Sequence, residues 1–71
     1  MTLTEFANNH QRHDYETSPL SQTQRYGQWL FNELYDVKPE LANSLRGTMA
    51  DPFYQDNRTP EFWCVLILKW E

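Results

Sequence analysis

Cysteine occurs once, as Cys64, so no intrachain disulfide can form and a disulfide-stapled secreted scaffold is excluded. Glycine occurs only twice, as Gly27 and Gly47, which excludes a collagen-like or glycine-rich chain. Long hydrophobic runs are missing too. The longest, Phe62 to Leu68, is far short of the roughly 20 residues that cross a bilayer. No apolar segment follows a basic N-terminus, so no secretory signal is expected and the expected location is the cytoplasm. Positive charge is scarce: six basic against ten acidic residues, for a net charge of −4. Arg12, Arg25, Lys38, Arg46, Arg58 and Lys69 are spread almost evenly, with no cluster to act as a phosphate footprint, so direct nucleic-acid binding is not expected. Nucleophile elbows, phosphate loops and zinc-protease motifs are absent.

Aromatic residues are abundant: three Trp, four Tyr and four Phe in 71 residues. A chain of this length is a single small domain whose core rarely contributes more than about 3–5 kcal/mol. Small domains usually compensate with disulfides, metal or self-association. Here dense aromatic packing takes that place, since each buried ring removes about 150–250 Å² from water.

Helical punctuation dominates the chain. Thr2-Leu3-Thr4-Glu5 forms a capping box, and Leu3, Phe6, Ala7 and His10 share one helical face, predicting a short helix over 3–14. Residues 1–20 are expected to be a loosely packed arm, closed by Ser18-Pro19. Ser21-Gln22-Thr23-Gln24 reads as a second capping box, followed by Tyr26, Trp29, Leu30, Leu34 and Val37 at helical spacing. Gly27 inside this helix costs about 1 kcal/mol relative to Ala and therefore points to close approach of another element. Pro39-Glu40 starts a helix over 39–46 that Gly47 ends in the left-handed conformation. Asp51-Pro52 reads as the cap and first residue of a single helical turn, with Asp56 solvated. The apolar run after Thr59-Pro60-Glu61 fits a helix or a buried strand by periodicity alone. With no convincing partner strand to satisfy its backbone, a helix over 60–70 is predicted. The expected fold is all-α, a small compact bundle of three main helices plus a short N-terminal one, forming one domain over 1–71.

Arg25-Tyr26-Gly27-Gln28, Phe31-Asn32-Glu33-Leu34, Pro39-Glu40-Leu41-Ala42, Arg46-Gly47-Thr48 and Asp51-Pro52-Phe53-Tyr54 together resemble a group of small bacteriophage- and prophage-encoded proteins. The resemblance spans residues 24–71 and implies a mobile-element origin and action in the host cytoplasm. It implies no activity, cofactor or catalytic residue.

Chemistry-bearing residues read more simply as structure. His10 and His13 have a spacing that can ligate metal, yet a structural zinc site needs four ligands, usually including Cys. Solvated histidines near a frayed end are the expectation, with no metal and no cofactor. Cys64 lies among apolar residues and reads as core filler, not a nucleophile. No catalytic residue is assigned, and an enzyme is the weakest class. Arg46 reads as a helix-end cation. The aromatic set exceeds what one helix stripe can bury. Phe53, Tyr54, Asp56, Trp63 and Trp70 are therefore the candidate partner-binding residues. The expectation is a non-catalytic accessory protein that binds a host or phage protein by occlusion or recruitment. A homodimer, a nucleic-acid-mimicking inhibitor of a basic cleft and a self-associating assembly protein stand as alternatives.

Overall fold

A computed structural model describes residues 1–70. Five α-helices run in order: α1 (Leu3–Asn9), α2 (Arg12–Glu16), α3 (Tyr26–Val37), α4 (Pro39–Leu45) and α5 (Thr59–Lys69). Short 3-10 turns at Pro19–Gln22 and Asp56–Arg58 lead into α3 and α5. No strand occurs among the described residues, so the protein is all-α.

The predicted first capping box forms. The Thr2 hydroxyl accepts from the Glu5 N–H at 3.1 Å and the Glu5 carboxylate accepts from the Thr2 N–H at 2.8 Å. The helix does not continue to residue 14, because it breaks at His10. The His10 ring, not its backbone, reaches the Phe6 carbonyl: Nδ1 lies 2.7 Å from that oxygen, while the His10 N–H donates to Ala7 O. Gln11 then opens α2, its N–H donating to Asp14 Oδ2 at 2.9 Å. Phe6 is fully buried and stacks on His10 with ring centroids 4.2 Å apart.

The capping box expected at Ser21 is not used. Residues Pro19–Gln22 coil into a 3-10 turn capped by Ser18 Oγ, and α3 starts later, with Arg25 as its N-cap. The groups of that box are engaged elsewhere: the Gln24 N–H donates to Leu20 O at 2.8 Å and the Ser21 hydroxyl donates to Ser18 O at 2.9 Å, while the Tyr15 hydroxyl donates to the Gln24 carbonyl at 2.5 Å. From Tyr26 onward α3 is the central element, burying Trp29, Leu30, Phe31 and Leu34. Lys38 alone makes the corner into α4. At the end of α4, Gly47 adopts φ +79°, the left-handed conformation expected of it.

The apolar stretch after Pro60 is a helix. Phe62 and Leu66, one turn apart, are fully buried against the α1–α3 core. Gly27 is where the loop after α4 meets α3: a Cβ there would lie 2.2 Å from the Pro52 carbonyl oxygen. The close approach inferred from the sequence is thus made by Pro52, itself fully buried.

Candidate protein-binding surface

The segment between α4 and α5 is irregular but tightly bonded. Asp51 does not begin a helical turn. Its two carboxylate oxygens instead accept from the Gly47 N–H at 2.8 Å and the Phe53 N–H at 2.9 Å. This double bond to backbone folds the loop onto itself, a common use of Asp in turns. Asp56 is likewise less solvated than the sequence suggests. It is half-buried, accepts from the Gly27 N–H at 2.9 Å and lies 3.8 Å from Arg25 Nε. Arg25 also donates to the Phe53 carbonyl.

On this framework Phe53 and Tyr54 stand side by side, edge to face, with centroids 4.8 Å apart. Phe53 packs edge-on against buried Phe31 at 5.8 Å, while Tyr54 is 77% exposed.

Trp63 and Trp70 occupy a different environment. Both are half-buried and pack on Phe6, with centroids at 5.9 and 5.3 Å. Trp70 Nε1–H donates to the Met1 carbonyl at 3.3 Å, and the Lys38 ammonium sits 4.9 Å above its ring. The five candidate residues therefore divide. Phe53, Tyr54 and Asp56 gather around the start of α3, whereas Trp63 and Trp70 tie α5 to α1. No ring contact joins the two sets among the described residues.

Cys64 is exposed and not core filler. Once Phe62 and Leu66 point inward, residue 64 falls on the opposite face, with Ile67 and Leu68 beside it. Ile67 and Leu68 are 69% and 79% exposed, an apolar strip that the choice of aromatic candidates overlooked. A helical wheel centred on Phe62 and Leu66 identifies it.

The histidines also separate. His13 is exposed, but His10 is only 7% exposed and its Nε2 lies 3.0 Å from Glu33 Oε1 on α3. Both His10 ring nitrogens thus have structural partners. No group of three His, Cys, Asp or Glu side chains comes together to hold a metal among the described residues. Two ionisable groups are displaced from their ordinary range. The Thr2 N–H and hydroxyl hold the Glu5 carboxyl low, and burial pushes the Tyr26 phenol up against the opposing pull of Arg12.

Comparison with known protein families, curated proteins and solved structures finds no match. No helix among the described residues is long and apolar enough to cross a membrane.

Proposed function

We propose that the chain is a small non-catalytic accessory protein, of phage type, that binds a host or phage protein through the aromatic surface at Phe53 and Tyr54. In this reading α3, α4 and α5 are the three main helices that carry the surface, and the N-terminal helices brace them. One observation carries it: a large exposed aromatic side chain, Tyr54, on a loop whose backbone is fixed by Asp51 and whose neighbouring ring is anchored in the core. Binding through such a loop orders little that is not already ordered, which favours affinity. Trp63 and Trp70 serve mainly to pack the helices together, and Asp56 positions the loop. A non-catalytic role accords with His10, whose ring nitrogens are both spent on Phe6 and Glu33.

Tagged wild type and Tyr54→Ala, compared by pull-down from host lysate at low and high salt, test the proposal. A band captured by wild type at both salts and lost with Tyr54→Ala supports it. Capture unaffected by the substitution refutes the assignment of this surface. The exposed strip of Cys64, Ile67 and Leu68 favours a second reading, self-association through α5, which sedimentation of wild type against Leu68→Ser decides.

A further inference from the structure

His10 is the buried one of the two histidines, and its two ring nitrogens face the same kind of atom. Nδ1 lies 2.7 Å from the Phe6 carbonyl oxygen and Nε2 lies 3.0 Å from Glu33 Oε1. A carbonyl accepts and never donates, and the same holds for an ionised carboxylate. A neutral imidazole carries one N–H and so satisfies only one of the two. In either neutral tautomer a bare ring nitrogen confronts an oxygen lone pair at bonding distance. The imidazolium donates to both oxygens at once.

The surroundings suit that charge. The Phe6 ring stacks on His10 with centroids 4.2 Å apart and the Trp29 ring lies at 5.2 Å, and aromatic rings attract a cation held close to them. Glu33 is the charged side chain bonded to the ring. The other ionisable groups of the surrounding helices are turned elsewhere: Glu5 to Thr2, Arg12 to Glu16 and the Tyr26 ring, Asp14 to the Gln11 N–H, and the Tyr15 hydroxyl to Gln24. His13, Tyr35 and Asp36 are exposed, as are Glu61, Cys64 and Lys69 on α5, which meets Phe6 with the neutral rings of Trp63 and Trp70. We infer that His10 and Glu33 form a proton-operated latch between the end of α1 and α3. With the ring protonated, both bonds hold and α1 is docked. When the ring loses its proton, Nδ1–H stays with Phe6 and the bare Nε2 repels the carboxylate. Glu33, whose side chain is 34% exposed, then turns to solvent. That loosens α1 and uncovers the Trp63 and Trp70 rings against which Phe6 packs. The stabilising bond is therefore present on the acid side and lost as pH rises through the histidine range, about pH 5 to 8.

NMR of the nitrogen-labelled full chain across that range tests the latch. Ring-nitrogen shifts count the protons on His10, with exposed His13 as the reference within the chain. At the acid end both His10 nitrogens should carry a proton. As the ring loses one, amide exchange at residues 3–10, corrected for its intrinsic pH dependence, should quicken about tenfold or more, the effect of losing one charged hydrogen bond. The amides of fully buried Leu30 and Leu34 should keep their protection. The Trp70 indole N–H signal should move in the same step, because its acceptor is the Met1 carbonyl. Glu33→Gln is the control variant: its amide N–H can donate to the bare Nε2 of a neutral ring, so α1 should stay docked at every pH. Ring deprotonation with no change in α1 or the Trp70 indole overturns the latch. Equal acceleration at Leu30 and Leu34, or a step in Glu33→Gln as large as in wild type, does so too. A ring that is a single neutral tautomer at the acid end overturns the proton count, and one that keeps both protons beyond about pH 8 is a fixed ion pair and no latch.

Discussion

Gly27→Ala perturbs the joint on which both the fold and the binding loop depend. The added Cβ would lie 2.2 Å from Pro52 O and 3.0 Å from Asp56 Oδ1, whereas ordinary contact begins at 3.4 Å, so the Pro52 carbonyl must retreat by about 1.2 Å. Pro52 is fully buried and the next residue is held by Asp51 and Arg25, so the retreat cannot be taken up by a flexible side chain. Such overpacking costs about 1–3 kcal/mol. Weakening the bond from the Gly27 N–H to the Asp56 carboxylate adds up to about 1.5–3 kcal/mol. The better helix propensity of Ala returns about 1 kcal/mol. With that bond fully lost the net cost is about 1.5–5 kcal/mol, comparable with the about 3–5 kcal/mol that a core of this size supplies. The melting temperature followed by circular dichroism should fall by roughly 6 °C or more, given about 4–8 °C per kcal/mol for a domain of this length. Gly47→Ala is the internal comparison. It has φ +79° but nothing within 4 Å of the new Cβ, so only backbone strain of about 1–2 kcal/mol applies. A Gly27→Ala protein that melts at or above wild type, or that tolerates the change better than Gly47→Ala, would refute the reasoning.

Other expectations follow from the buried and displaced groups. His10→Ala removes the partners of Glu33 and the Phe6 carbonyl and the stack on Phe6, so urea unfolding should show a loss of about 2–3 kcal/mol. An unchanged midpoint would contradict the structural role of that ring. Glu5 has its folded pKa lowered, so its contribution is present above its unfolded value and lost as pH falls below about 4.5. Amide exchange in α1 should accelerate there in wild type and show no such step in Glu5→Gln. Tyr26 has its folded pKa raised by burial, so its contribution is complete below the unfolded value and lost as pH rises past about 10. Stability measured across that range should decline less in Tyr26→Phe.

What the sequence makes legible here is local. Pro39 and Gly47 bracket α4, Thr59-Pro60-Glu61 opens α5, and Gly27 announces a contact whose partner it does not name. What it hides is set by residues far apart in the chain. The break after α1 depends on His10 reaching Glu33, twenty-three positions away, and the firmness of the loop depends on Gly27 meeting Asp56, twenty-nine away. Neither distance leaves a mark on periodicity. The start of α3 differs for a related reason: Ser21 and Gln24 satisfy a capping pattern, but the Gln24 N–H goes to the Leu20 carbonyl and the Ser21 hydroxyl to the Ser18 carbonyl. Cys64 is exposed despite its apolar neighbours in sequence, because α5 buries its Phe62–Leu66 face and residue 64 lies opposite.

The aromatic surplus that stood out in the sequence has two destinations, and they separate stability from binding. Phe6, Trp29, Phe31 and Phe62 are buried, and they supply the dense core that a chain without disulfides requires. Tyr54 adds almost nothing to that core: it is 77% exposed, and its ring packs edge-on against Phe53, which is held independently by Phe31. Truncating an exposed side chain of this kind changes stability by no more than about 0.5 kcal/mol. Tyr54→Ala should therefore melt within a few degrees of wild type while losing partner binding, whereas Phe53→Ala should lose both. If Tyr54→Ala unfolds the domain, the ring belongs to the core and the binding surface must be sought on the outer face of α5.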